Sequence, residues 1–363
     1  MPVPKTTKAL VLKQASTNKK PVLHDVVVED RPIPQLKPGQ VLVRINAAAF
    51  NHRDLWIRKG LYPGIGFNST LGADGAGVVV DSADTNDPLL HKRVFLVPLR
   101  GWESDEAPSS MSILGGIKAI PIGTFSQYVV VERDQLIESP EHLDDEHTAA
   151  WPLGGLTAWR AAIVNAQVNE GDTVLITGIG GGVALLALQL CLARKANVYV
   201  SSGSEDKIRK AVSLGAKGGV NYKNKDWPGE LQKLLEKDLG KGAQLSAVID
   251  SGGGDIIGAV GKVLKGGGKV VVYGMTANPK ITFTMREVLK NQQLIGSTMG
   301  SHQDLIDATN FIAKHKVVPV ISHVLDGLES AEEGFQLIGK GDQFGKVVIR
   351  VRHDGDSKVI SRL

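Results

Sequence analysis

The chain has 363 residues, 42% hydrophobic and 22% charged, which excludes a disordered polymer and suits two globular domains better than one. A net charge of +4, with no Lys/Arg cluster interleaved with aromatics, argues against nucleic acid as a partner, and no apolar run approaches the roughly 18 residues that cross a bilayer. The single Cys191 excludes an internal disulfide and a four-thiolate zinc site and points to a reducing compartment.

Met1-Pro2-Val3-Pro4-Lys5 runs into a strand-like segment at 8–12 without the apolar stretch of a secretion signal, so a cytoplasmic location is expected. Further strands are predicted at 41–45, after the turn Lys37-Pro38-Gly39-Gln40, and at 77–80 and 93–97. Residues 102–120, polar and rich in Ser and Gly, read as a long loop of the kind that borders active sites. Near Asp144 the pattern changes. Short apolar runs at 173–177, 197–200, 246–250, 270–273 and 294–297 then alternate with helical segments at 184–194, 205–214, 227–239 and 256–264. Such alternation predicts an α/β fold with a doubly wound parallel sheet. Two helices follow, at 305–315 and 330–338, and a closing strand at 345–349.

The run from Thr173 to Gln189 carries the strongest chemical signal. A buried strand passes through a glycine turn into a helix, the order that builds a pyrophosphate site. Gly178, Gly180, Gly181 and Gly182 permit the turn and a close approach by phosphate, and the helix beginning near Val183 points its free N–H groups at the anion. The spacing reads Gly178-x-x-Gly181-x-x-Ala184 rather than Gly-x-Gly-x-x-Gly. NAD-preferring enzymes place a carboxylate at the end of the next strand to hold the ribose 2′-hydroxyl. Here the acids Glu205 and Asp206 come only after Ser202, Gly203 and Ser204. Those serines, with Lys207 and Arg209, offer hydroxyls and cations suited to a 2′-phosphate, so NADPH is the expected cofactor.

Several motifs stand in one order along nearly the whole chain: Asn-His-Arg-Asp-Leu (51–55), Leu-Gly-Ala-Asp-Gly-Ala-Gly (71–77), Gly-Thr-Phe-Ser-Gln-Tyr-Val (123–129), Pro-Leu-Gly-Gly-Leu-Thr-Ala-Trp (152–159), the glycine turn, Leu-Gly-Ala (214–216), Val-Asn-Tyr (220–222), Asp-Ser-Gly-Gly (250–253) and Phe-Gly-Lys-Val-Val (344–348). On these the chain resembles the medium-chain dehydrogenase/reductase superfamily, and within it the zinc-free quinone oxidoreductase-like and enoyl reductase-like branch. The resemblance implies a β-rich GroES-like catalytic domain from residues 1–143 and 303–363, with a Rossmann domain at 144–302 inserted between them. The zinc-dependent branch has Cys at Asn51, a His-Glu pair at Ala73-Asp74 and a Cys near Leu153. None of those thiolates exists here, so no metal site is expected.

The resemblance further implies that Lys207 and Tyr222 contact the 2′-phosphate. Thr157, Gly252, Gly253, and the backbone at Gly274-Met275 and Met299-Gly300 line the cofactor site, and Asn51 hydrogen-bonds the substrate or the nicotinamide ribose. Tyr62 matches a proton-donating Tyr of enoyl reductases, or else is a loop aromatic that closes the pocket. Quinone reductases often carry a Tyr where this chain has Trp56. The function implied is hydride transfer from NADPH to a quinone or an α,β-unsaturated carbonyl. The alternatives are an enoyl thioester reductase and a non-catalytic NADPH-binding redox sensor or structural protein. A homodimer joined through the edge strand at 294–297 is also implied, with no membrane partner. The terminal Ser361-Arg362-Leu363 resembles a peroxisomal address of the Ser-Lys-Leu type, an alternative to the cytoplasm.

Overall fold

The computed structural model describes residues 4–16, 22–108 and 110–353. The tripeptide Ser361-Arg362-Leu363 lies outside the described residues. The chain forms two compact units, one from Met1–Leu153, Ser301–Thr309 and Val318–Leu363, the other from Gly154–Gly300 and Asn310–Val317.

The second unit is built on six parallel strands: β1 (Thr173–Ile176), β2 (Asn197–Ser202), β3 (Gly218–Asn221), β4 (Leu245–Asp250), β5 (Leu264–Val272) and β6 (Gln293–Gly296). Their spatial order is β3-β2-β1-β4-β5-β6, a doubly wound sheet whose order reverses between β1 and β4. Every residue of β1 is buried, as its unbroken apolar run requires of a strand covered on both faces. The helix Trp227–Leu239 has the bounds its periodicity predicts, and Leu231 and Leu235 fill its core face. The helix expected over 256–264 stops at Val260, because Gly261 caps it and Leu264 already pairs with Leu245 as the start of β5. β3 was not predicted. Its two glycines carry no periodic signal, and it forms by pairing with β2.

In the first unit, strands Thr6–Lys13 and Asp25–Pro32 make an antiparallel hairpin. A seven-stranded sheet runs Ile321–Asp326, Lys346–Arg350, Gln40–Ala49, Asp74–Ser82, Arg93–Leu96 and Leu136–Glu138, with Tyr128–Glu132 also paired to Gln40–Ala49. The segment 102–120 is less irregular than expected, since Ser112–Ile113 pairs with Leu99–Arg100.

The first unit extends to Leu153, ten residues past the boundary at 143 expected from sequence. Helix Asp145–Ala149 packs on strands Gln40–Ala49 and Asp74–Ser82, so it belongs to the sheet before it. Helix His302–His315 is divided between the units. Trp151 donates its indole N–H to Thr309 in the first, while Phe311 stacks on Trp159 in the second. Among the described residues, no helix is long and apolar enough to cross a membrane.

Candidate functional site

Strand register brings together three distant parts of the first unit. Ala49 faces Asp74 on one side and Val348 on the other, so the chain just past Ala49, the start of one neighbouring strand and the start of the other meet at one end of the sheet. Asn51, Asp74 and Lys346 converge there, all three buried. The Lys346 ammonium donates to Asn51 Oδ1 at 2.7 Å and to Asp74 Oδ2 at 3.0 Å, and Asn51 Nδ2 donates to Asp74 Oδ2 at 2.9 Å. Leu153 N donates to Asp74 Oδ1 at 2.8 Å, which occupies the second carboxylate oxygen. An ammonium only donates and a carboxylate only accepts, so these neighbours admit one orientation of the Asn51 amide. One Nδ2 hydrogen is spent on Asp74, and the network fixes the direction of the other.

Asn51 also leads the short helix His52–Arg58, where its backbone N–H donates to Asp54 Oδ2 at 2.8 Å. Burial pushes the Asp54 carboxyl up to about 6, against the lowering influence of Arg53 and the Asn51 N–H. This folded value lies above the unfolded one near 3.9, so Asp54 favours the fold fully below about pH 4, and that contribution is lost as pH rises through about 6. Asp54→Asn is expected to flatten the pH dependence of stability across this window, measured by denaturant unfolding at stepped pH. An unchanged slope would show that another group titrates there.

Tyr62, half-buried, lies in the same unit just before the exposed turn at Pro63 and Gly64. The Arg53 guanidinium stacks over its ring, 4.9 Å from the centroid. Trp56 points elsewhere, to His52 at 6.0 Å between ring centroids and to the Lys59 ammonium at 5.6 Å.

In the second unit the glycine turn follows β1 as expected. Gly180 adopts φ +121°, and a Cβ there would sit 2.7 Å from Lys207 Cδ. The half-buried Lys207 side chain therefore lies directly on the turn. Gly181 caps helix Gly182–Ala193, and Gly182 and Val183 form its open first turn. At the end of β2, Ser204 N donates to Ser202 Oγ at 3.2 Å, and Ser204 Oγ caps helix Glu205–Ser213. A Cβ on Gly203 would meet the Tyr222 hydroxyl and Lys223 Cε, each at 2.8 Å. The absence of a side chain at Gly203 thus lets a phenol and a lysine close directly over the end of β2. Lys223 was missed from sequence, although it directly follows the Val-Asn-Tyr motif. Both nearby acids are engaged elsewhere: Glu205 accepts from Asn221 Nδ2 at 2.8 Å, and Asp206 pairs with Lys210 at 2.8 Å.

A groove of about 630 Å³ opens at the carboxyl ends of β1, β2 and β4, lined by Thr177, Gly178, Ser201, Tyr222, Asp250 and Gly252 among others. It lies at the reversal point of strand order, where open α/β sheets bind ligands. Buried Asp250 shapes its floor. Asp250 Oδ1 accepts from the Thr177 hydroxyl at 2.6 Å, and Oδ2 accepts from the N–H groups of Gly252 and Gly253 at 3.2 and 2.6 Å. Gly274 approaches Ser251 so closely that a Cβ would lie 2.6 Å from its carbonyl oxygen. The Thr157 hydroxyl donates to Met299 Sδ at 3.8 Å, and Met299 is buried with φ +47°, a strained value for a non-glycine residue. Gly300 is buried beside it, whereas Met275 is exposed.

Comparison with known proteins follows the same division. Residues 37–141 match the alcohol dehydrogenase GroES-like domain, and residues 182–314 match the zinc-binding dehydrogenase family. The chain is 41% identical over 339 residues to the zinc-type alcohol dehydrogenase-like protein YogA of Leptosphaeria maculans, a match covering 89% of this chain and 93% of that one. It is 31% identical to a zinc-type alcohol dehydrogenase-like protein of Schizosaccharomyces pombe, covering 89% and 94%. Among solved structures, an NAD-dependent alcohol dehydrogenase superposes with a TM-score of 0.83 at 33% identity, covering 95% of this chain and 100% of that one. The 2-octenoyl-CoA carboxylase reductase CinF of a Streptomyces species, in complex with NADP and 2-octenoyl-CoA, superposes with a TM-score of 0.82 at 25% identity, covering 100% and 93%. With its Rossmann-like unit and its GroES-like unit, the chain belongs to the medium-chain dehydrogenase/reductase superfamily and is an oxidoreductase of that family.

Proposed function

We propose that this protein is a zinc-independent reductase that uses NADPH to reduce quinones or α,β-unsaturated carbonyls. The observation that carries this reading is the closed network at Asn51, Asp74 and Lys346. Where the zinc-dependent branch holds its ligands, this chain has Asn51, Ala73 and Leu153, which cannot complete a tetrahedral zinc shell. The remaining carboxylate, Asp74, is already committed to Lys346, Asn51 and the Leu153 N–H. Among the described residues no group of three or more His, Cys, Asp or Glu is arranged to hold a metal. The donor set does not fit zinc.

The residues at the β2 end fit NADPH. Lys207 lies on the glycine turn at Gly180, the Tyr222 hydroxyl and Lys223 close over Gly203, the Ser202 hydroxyl stands at the same strand end, and the neighbouring carboxylates are tied up. Bound there, NADPH supplies a hydride. The chain's own part is to receive the charge that then develops on the substrate oxygen. The oriented Asn51 Nδ2 is a hydrogen-bond donor, and the Tyr62 hydroxyl supplies a proton. Lys207→Ala is expected to raise KM for NADPH about 10- to 100-fold, the loss of one charge-assisted hydrogen bond, and to leave NADH kinetics unchanged. NADPH and NADH oxidation against a panel of quinones, 2-alkenals and enones tests both parts. Equal use of the two cofactors, or tight NADPH binding with no turnover, would overturn the reading.

A second reading, enoyl thioester reduction, is favoured by the full-length likeness to a reductase that binds 2-octenoyl-CoA, and enoyl thioesters belong in the same panel. The proposal includes a homodimer joined through β6. This strand ends the sheet, and Leu294 on it is exposed, as are Met285, Val288 and Leu289 in the segment that leads into it. Leu289→Lys is expected to convert the dimer to a monomer by light scattering. A monomeric wild-type protein would sink this part.

A further inference from the structure

We infer that Arg53 is a positioning residue that holds the ring of Tyr62 against the segment at Leu114 and Gly115. Its role in the reaction rests on Tyr62 being the proton donor of the proposed reductase. Arg53 is only 7% exposed, and its ion pair with Asp54 Oδ1, at 3.6 Å, is too long for a hydrogen bond. The two prongs of its fork go instead to backbone carbonyls. Nη1 donates to Leu114 O at 2.7 Å and Nη2 to Gly115 O at 3.0 Å. This fixes the guanidinium, whose Cζ lies over the Tyr62 ring 4.9 Å from its centroid.

The backbone around Tyr62 is anchored without Arg53. Gly66 N donates to Gly116 O at 3.0 Å, and Lys118 N donates to Gly64 O at 2.9 Å, so the turn after Tyr62 is already zipped to 116–118. What Arg53 adds is the orientation of one side chain. A lysine keeps the positive charge beside Asp54 but offers neither a planar fork nor a stacking face. Arg53→Lys therefore separates positioning from charge.

The test is a double-mutant cycle of Arg53→Lys with Tyr62→Phe, read as kcat and KM for NADPH and for the acceptor that the wild-type enzyme reduces best. Alone, Arg53→Lys is expected to lower kcat about 10- to 100-fold with KM for NADPH unchanged, the penalty for a misaligned donor. In the Tyr62→Phe background it should cost almost nothing further. An equal loss in both backgrounds would mark Arg53 as merely structural and overturn the inference, as would wild-type kcat in Arg53→Lys. A readout independent of turnover is nitration of Tyr62 by tetranitromethane, followed by peptide mass analysis. The rate should rise several-fold in Arg53→Lys, and an unchanged rate would overturn the positioning role. If Tyr62→Phe is fully active while nitration still accelerates, the positioning stands and the proton-donor assignment fails.

Discussion

Lys346→Met is expected to destabilise the first unit by about 3–5 kcal/mol, the usual cost of removing one partner of a buried ion pair. The pair is dry on both sides, with Lys346 only 6% and Asp74 0% exposed at the side chain. Without the ammonium, Asp74 keeps its hydrogen bonds from Asn51 and Leu153 but loses the cationic donor of Lys346. Three strands meet at this point, so the loss falls on the whole end of the sheet rather than on one side chain. The expected fall in melting temperature is on the order of 10 °C for a unit of this size. Removing both charges together, as Asp74→Asn with Lys346→Met, should cost less than Lys346→Met alone, because no uncompensated charge then stays buried. A melting temperature within about 2 °C of wild type for Lys346→Met would show that water reaches the pair.

Tyr62→Phe is expected to lower kcat by about 10²- to 10⁴-fold, the range for losing a positioned general acid. The ring remains, so its stacking on Arg53 and the packing of the turn should persist and the melting temperature should not move. KM for NADPH should also hold, because the residues assigned to the cofactor phosphate, Lys207, Tyr222 and Lys223, belong to the second unit. A Tyr62→Phe enzyme with wild-type kcat would leave Tyr62 as a pocket aromatic and move proton donation to another group or to water.

Local pattern made much of this legible. The run into β1, the glycine turn and the helix behind it are contiguous in sequence, and each step follows from burial, conformational freedom and orphan N–H groups. The site in the first unit was legible only by half. Asn51 and Tyr62 stood out from their motifs, but the partner that orients Asn51 lies 295 residues away. Lys346 sits in the closing motif as an unremarkable strand residue, and only the register of Val348 and Asp74 against Ala49 brings it inward. Arg53, on helix His52–Arg58, carries no signal of its own either, since its targets are backbone carbonyls, which leave no trace in sequence. Lys223 leaves no signal in sequence because single exposed lysines are common, and only its close packing over Gly203 singles this one out.

The most direct test of the account follows deuterium from C4-deuterated NADPH into the product formed from a simple 2-enone. Hydride transfer without a metal, with the developing charge held by protein donors, predicts a saturated ketone carrying deuterium on its β-carbon. Deuterium on the carbinol carbon of an allylic alcohol would contradict it, because that product needs the carbonyl itself to be activated for attack, the task a zinc ion performs in metal-dependent alcohol dehydrogenases.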